Sequence, residues 1–304
     1  MMQSLFCTMT QSGLFRAISV LTWLLIAGNT ASTFGQNGCV HGLWIWKTSE
    51  VLKAPGSAEA LRTFCKSNGI NEVYISMSSK GSMLEDGTLN NLITLLHRSK
   101  IRVEALFGSA DGDMPGKPRD KLLDQVREIV RSNQKHPKQK FDGIHLDIEP
   151  HQRDENKGAD NLTFLPSLIE TYSAVRALTD PAKMTLNADI ANKFLKGDLS
   201  QRKMLLTSVP RVTLMLYELS SPDDGKSPES KVDKVRTFSA RYFAMAYSGL
   251  NDRRLAAMSI ALRTPDYLDA LPIMLHALDE THSSNPRYLG WAVHSYNDVL
   301  GATR

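Results

Sequence analysis

The sequence predicts an α/β protein of the (β/α)8, or TIM-barrel, class: a single barrel domain over residues 36–304 behind a signal peptide over residues 1–35. Three observations carry this. Strand-like and helix-like segments alternate from residue 41 to the end of the chain, which is the signature of a parallel sheet. No GxGxxG or GxxxxGK[ST] turn follows any strand, as a nucleotide-binding doubly wound sheet would require; WKTSEVLKAPG follows the first. No Pro/Ser linker or break in composition divides the alternating region into two domains.

The elements follow in order. Arg16 precedes the apolar run AISVLTWLLIA (residues 17–27) and small polar residues up to Gln36, the layout of an export signal. The run is too short for a comfortable membrane span of about 20 residues. The mature protein is therefore expected to be secreted or periplasmic, with no stable membrane insertion. Strands are read at HGLWIW (41–46), EVYISMS (72–78), IRVEALFG (101–108), FDGIHLDIE (141–149), MTLNADI (184–190), RVTLMLYEL (211–219), LAAMSIALR (255–263) and YLGWAVHSY (288–296), each bounded by turn residues. Helical periodicity fills the intervals at 58–68, 89–100, 119–134, 161–178, 199–208, 231–250 and 267–282.

Composition excludes several classes of function. With 42% hydrophobic and 22% charged residues the chain is ordinary globular material. Its formal charge of +4 carries no long basic run, so no nucleic-acid partner is expected. Loss of the leader would remove Cys7 and leave Cys39 and Cys65, an even pair in an oxidising compartment and a candidate disulfide at the bottom of the barrel.

The chemistry concentrates in the fourth strand. His145, Asp147 and Glu149 are two apart and project from one face, while Ile144, Leu146 and Ile148 project from the other. In a barrel the apolar set meets the helices and the ionisable set faces the axis, with Glu149 at the carboxyl end, where barrel enzymes hold their active sites. Carboxylates at i and i+2 stand close enough to share a proton, and like charges so placed raise one pKa. Glu149, nearest the rim, is the candidate general acid; Asp147 is its deeper partner. His145 is placed below to relay charge to Asp147.

DGIHLDIE (142–149) resembles the DxxDxDxE strand-four signature of family 18 glycoside hydrolases, the chitinases and endo-N-acetylglucosaminidases. Asp142, Asp147 and Glu149 match, and His145 stands in place of an aspartate. TLMLYE (213–218) is similar to that family's MxYD or MxYN, with Met215 and Tyr217 matching and Glu218 replacing Asp or Asn. LGWAVHSYND resembles its GGxMxW in placement, with His294 at the expected tryptophan and Trp291 as a substitute filler of the pocket. The resemblance implies substrate-assisted hydrolysis of an N-acetylhexosamine-containing oligo- or polysaccharide, in which the sugar's acetamido oxygen attacks the anomeric carbon. Asp147 would steady the acetamido group and Tyr217 would hydrogen-bond its carbonyl. The scheme needs no cofactor and no metal.

The remaining polar and aromatic strand residues complete a candidate carbohydrate site. Asn187 and Asp189 alternate on strand five and can face inward. Asp189 and Glu218 are the partners for Glu149 in a two-carboxylate or inverting scheme. Glu104 and Arg263 bind substrate hydroxyls or form an internal ion pair. Trp44, Trp46 and Trp291 stack on sugar faces or pack against helices, and His151 is read as facing solvent. Two rival functions stay open: a metal-dependent hydrolase using His145, Asp147 and Glu149, with His294 as a possible fourth ligand, and a barrel that binds carbohydrate without turning it over.

Overall fold

The computed structural model describes residues 39–77, 87–157, 162–217, 227–263 and 270–302. The proposed leader and Glu218 lie outside the described residues. The eight strands are β1 (Val40–Ile45), β2 (Glu72–Ser76), β3 (Arg102–Ser109), β4 (Gly143–Ile148), β5 (Thr185–Ala191), β6 (Arg211–Met215), β7 (Ala257–Arg263) and β8 (Tyr288–His294). They form a closed parallel barrel in sequence order, with β8 pairing back on β1 through Val40 opposite Gly290 and Leu43 opposite Val293.

The described helices are α1 (Thr48–Leu52), α2 (Ser57–Ser67), α3 (Thr88–Arg98), α4 (Lys117–Lys135), α5 (Leu165–Thr179), α6 (Leu199–Ser208), α7 (Pro228–Tyr247), α8 (Leu271–His282) and α9 (Tyr296–Ala302). Their starts are written in the chain. Proline occupies the first turn of α4, α5, α7 and α8, where a missing N–H costs nothing. A reciprocal Asp198–Gln201 box caps α6. The short α1 occupies WKTSEVLKAPG, which lacks enough periodicity to read as a helix.

Strand alternation divides the core in two. Leu43, Ile45, Val73, Ile75, Val103, Ile144, Leu146, Ile148 and Val293 face the helices in one large apolar cluster. Trp44, Tyr74, Leu106, Ala261 and Ala292 fill the barrel interior as a second cluster, with Trp46 and Tyr217 packed on it. The partition of β4 expected from its sequence is thus the observed one.

Cys39 and Cys65 are free thiols, so the expected disulfide is not formed. They face different surroundings. Cys65 is buried in the helix-facing core, where burial pushes its thiol up to about 12, while Cys39 is half-buried within the field of Asp279 on α8.

Candidate active site

The barrel interior is a column of charged and polar side chains rising from floor to mouth. At the floor the Arg211 guanidinium donates to Glu72 Oε1 at 2.5 Å, Glu72 Oε2 at 3.1 Å and Glu104 Oε1 at 3.3 Å. Arg102 adds a bond to Glu72 at 3.0 Å, and the Thr185 hydroxyl donates to Glu104 at 2.8 Å. Glu104 is fully buried and committed to these partners. The expectation that it binds substrate hydroxyls is corrected, as is its pairing with Arg263: the cation it found is Arg211.

One layer up lies His145, also fully buried. Its Nδ1 is 3.2 Å from Glu104 Oε2 and its Nε2 is 2.8 Å from Asp189 Oδ1. The Tyr74 ring packs 3.9 Å from the imidazole, and Trp44 meets it edge-on. Burial opposes charge on the imidazole, but Asp189 and Glu104 outweigh it and raise its pKa to about 9. His145 is fully buried, and its hydrogen-bond partners lie on β3 and β5 rather than at Asp147, so its expected place in contact with substrate is corrected and its charge reaches Asp147 without a direct bond. The His145/Asp147/Glu149 metal set is corrected for the same reason, since both imidazole nitrogens are taken. Among the described residues no group of three His, Cys, Asp or Glu side chains converges as metal donors.

Asp189 is 1% exposed and sits behind the site. Its Oδ1 faces His145, and its Oδ2 accepts from Trp44 Nε1 at 3.3 Å. Asn187 is fully buried one layer down, accepting from Thr213 Oγ1 at 3.2 Å. The substrate-binding assignments of Asp189 and Asn187 are corrected on this burial, as is sugar stacking by Trp44.

The upper layer is Asp147, Glu149, Tyr217, Met215, Trp46, His294 and Arg263. Asp147 is 9% exposed, and its Oδ1 is buried without a hydrogen-bond partner. Burial, then Asp189 and Glu149, push its carboxyl well above the ordinary range. Glu149 stands just past β4 with its side chain 23% exposed. Pro150 ends the strand, and the tight turn Pro150–Gln152 brings Gln152 back so that its Nε2 donates to Glu149 Oε2 at 2.5 Å. Burial and Asp189 raise Glu149 as well, against the Gln152 bond.

His151 also turns inward rather than to solvent. Its Nε2 is 3.6 Å from Glu149 Oε1, and its ring meets Phe194 edge-on. Burial, helped by Lys193, depresses it to about 4, so it is a neutral imidazole beside the carboxyl.

On the opposite side of the mouth Trp46 Nε1 donates to His294 Nε2 at 2.7 Å. This fixes the remaining His294 proton on Nδ1 and agrees with a pKa lowered by burial. Tyr217 lies 5.6 Å from the His294 ring, with the Arg263 guanidinium 5.9 Å from its centroid. Burial and the fields of Asp189, Asp147 and Glu149 keep the phenol protonated. Met215, 7% exposed, closes β6 beneath it.

Gly108 leaves the space Trp46 needs, since a Cβ there would stand 2.9 Å from the indole. Trp291 faces the other way: it stacks on His41 at 4.0 Å and donates to Asp279 on α8. Its expected place in the pocket is corrected, and His294 has no tryptophan substitute from its own strand.

Asp142, which also matches the strand-four signature, is a clamp at the barrel floor. Its Oδ2 accepts from the Val103 backbone N–H at 2.8 Å and lies 2.9 Å from His97 Nε2 on α3. Sequence reasoning missed Glu72, Arg211, His151 and Gln152 as parts of the interior and mouth. The isolated Glu72 and Arg211 at the first positions of their strands were the available signal for the floor pair.

No family model matches the chain, and no curated protein matches it by sequence. Solved structures do. The glycoside hydrolase domain of PgaB (BpsB) from Bordetella bronchiseptica aligns with a TM-score of 0.54 at 10% identity, over 86% of this chain and 96% of that one. D-psicose 3-epimerase from Clostridium cellulolyticum H10, solved with D-tagatose, aligns with a TM-score of 0.50 at 16% identity, over 84% of each. Catalytic domain 2 of the Ostrinia furnacalis Group II chitinase aligns with a TM-score of 0.47 at 13% identity, and this chain spans 64% of that one's length. At these identities the likeness is one of architecture: the chain is a (β/α)8 barrel similar in fold to the PgaB glycoside hydrolase domain and to D-psicose 3-epimerase.

Proposed function

We propose that this barrel is an exported glycoside hydrolase, a divergent relative of family 18, that cleaves an oligo- or polysaccharide containing N-acetylhexosamine. The observation that carries the reading is the carboxyl pair at the carboxyl end of β4: a partly exposed Glu149 above a buried Asp147, both raised by burial and by neighbouring acids. Glu149 is the general acid that protonates the leaving glycosidic oxygen. Asp147 assists from below, and Tyr217, with its phenol proton held, donates a hydrogen bond to the acetamido carbonyl.

Trp46 and Met215 supply apolar surface for the sugar ring, and Arg263 and His294 line the far wall. The sequence resemblance on Asp142, Asp147, Glu149, Met215 and Tyr217 supports the family assignment, and the fold shared with a glycoside hydrolase domain is consistent with it. Export, with the first 35 residues as the leader, belongs to the same reading; among the described residues no helix is long and apolar enough to cross a membrane.

The test is chitooligosaccharide turnover by the wild type and by Glu149→Gln. Removing the proton donor while keeping shape lowers kcat by about a hundredfold or more, with part of the loss recovered on an activated aryl leaving group. In the wild type, kcat/KM falls on the alkaline side as Glu149 loses its proton. Proton NMR of the first-released anomer shows retention if the acetamido group participates; inversion excludes it. Binding of chitooligosaccharides without cleavage identifies a carbohydrate-binding barrel instead.

A further inference from the structure

We propose that His145 is a permanent buried cation that holds Asp189 as its fixed counter-ion and thereby makes Asp147 a protonated, hydrogen-bond-donating acid at the floor of the site. The role assigned to Asp147 rests on the glycosidase reading; the protonation states stand apart from it.

The geometry carries the argument. Both nitrogens of His145 face carboxylate oxygens, Glu104 Oε2 at 3.2 Å and Asp189 Oδ1 at 2.8 Å. A neutral imidazole has one N–H and one lone pair, so one of these contacts would set a lone pair against a carboxylate oxygen. With Glu104 and Asp189 both ionised, only the doubly protonated ring satisfies both. Asp189 in turn accepts N–H bonds on each oxygen, from His145 and from Trp44, which is the environment of a carboxylate ion.

Asp147 has neither support. Its Oδ1 is buried and unpartnered, and a second negative charge there would face Asp189 from β5 and Glu149 from β4. Tyr217 and Tyr172 are the other titratable groups in its field, and both are neutral phenols. The nearby cation, His145, lowers the Asp147 pKa through its field, but its two N–H groups are taken by Asp189 and Glu104 and none reaches Asp147; burial and the two acids outweigh it. The least costly arrangement leaves the anion on Asp189, where two donors meet it, and the proton on Asp147. His145 is thus a positioning residue acting through Asp189. The neutral Asp147 carboxyl donates its proton as a hydrogen bond to an acceptor on the ligand, such as an acyl carbonyl oxygen, with no net transfer.

The experiment is an NMR titration of the full chain without ligand, with 15N-labelled histidine and 13C-labelled aspartate side chains. In the wild type at pH 7, both His145 nitrogens carry protons and one of the two is lost near pH 9, Asp189 reads as a carboxylate, and the Asp147 carboxyl reads as protonated. In His145→Gln the ring that fixes the anion on Asp189 is gone, the proton is shared between the two neighbouring carboxyls, and Asp147 no longer reads as fully protonated at pH 7. A wild-type His145 with one bare nitrogen at pH 7, or an Asp147 that titrates near the ordinary value of about 4, overturns the proposal. The wild-type measurement decides this even if His145→Gln does not fold. Because neither reading uses turnover, failure here is distinct from failure of the glycosidase assignment.

Discussion

His145 shows how one substitution reorganises a site. In an aspartate's place, on a strand otherwise similar to the family 18 signature, a histidine would be costly if neutral and unpartnered. It is paid for by two carboxylates from neighbouring strands, Glu104 and Asp189. Its folded pKa, about 9, lies above the ordinary histidine value, so its contribution to stability is complete below about pH 6.5 and is lost as the pH rises through 9. The urea midpoint of the wild type should therefore fall between pH 7 and pH 9.5, with a loss of unfolding free energy at most on the order of 3 kcal/mol. A midpoint unchanged over that interval would show that the buried pair is not ionised. His151 has the opposite sign: its folded value near 4 means that stability is lost as the pH drops below about 6.5.

At the scale of the strands, the floor of the barrel is held by charge rather than by apolar packing. Arg211, at the first position of β6, bridges Glu72 on β2 and Glu104 on β3 across the interior, and both glutamates are fully buried. Arg211→Met removes the cation shared by two buried acids, leaving Glu72 with Arg102 alone and Glu104 with His145 alone, and should cost about 3–5 kcal/mol in denaturant unfolding. Adding Glu72→Gln and Glu104→Gln should restore much of it, because the cost lies in the orphaned charge and not in the lost packing. The mouth depends on close approach instead. Gly108→Val on β3 should displace the Trp46 ring, shift its fluorescence and weaken oligosaccharide binding, with little effect on the melting temperature.

For the whole molecule, the described strands close into a barrel in which β1 begins at Val40 and pairs with β2 and β8. A chain beginning at Gln36 should unfold in one cooperative transition by circular dichroism and tryptophan fluorescence alike. Non-coincident transitions would mean that residues before Gln36 complete the fold.

The sequence by itself determined the architecture and the carboxyl pair. Strand and helix periods are local properties of the chain, so alternation over residues 41–296 sufficed for a closed parallel barrel, and the i, i+2 spacing of His145, Asp147 and Glu149 placed the first two inward and Glu149 at the mouth. The tertiary structure decided which inward residues are available to a ligand. Depth along a strand depends on register and barrel shear, which strand patterns do not encode; hence Glu104, Asn187 and Asp189 read as site residues and are interior partners. Trp291 and His294, three apart on β8, face opposite sides of the sheet, yet both read as pocket candidates until α8 supplied Asp279 for the indole. The pairing of His145 with Asp189, separated by 44 residues, follows only from β4 and β5 lying side by side. Long-range electrostatics is set by which strands become neighbours, and that is a property of the closed barrel rather than of any segment within it.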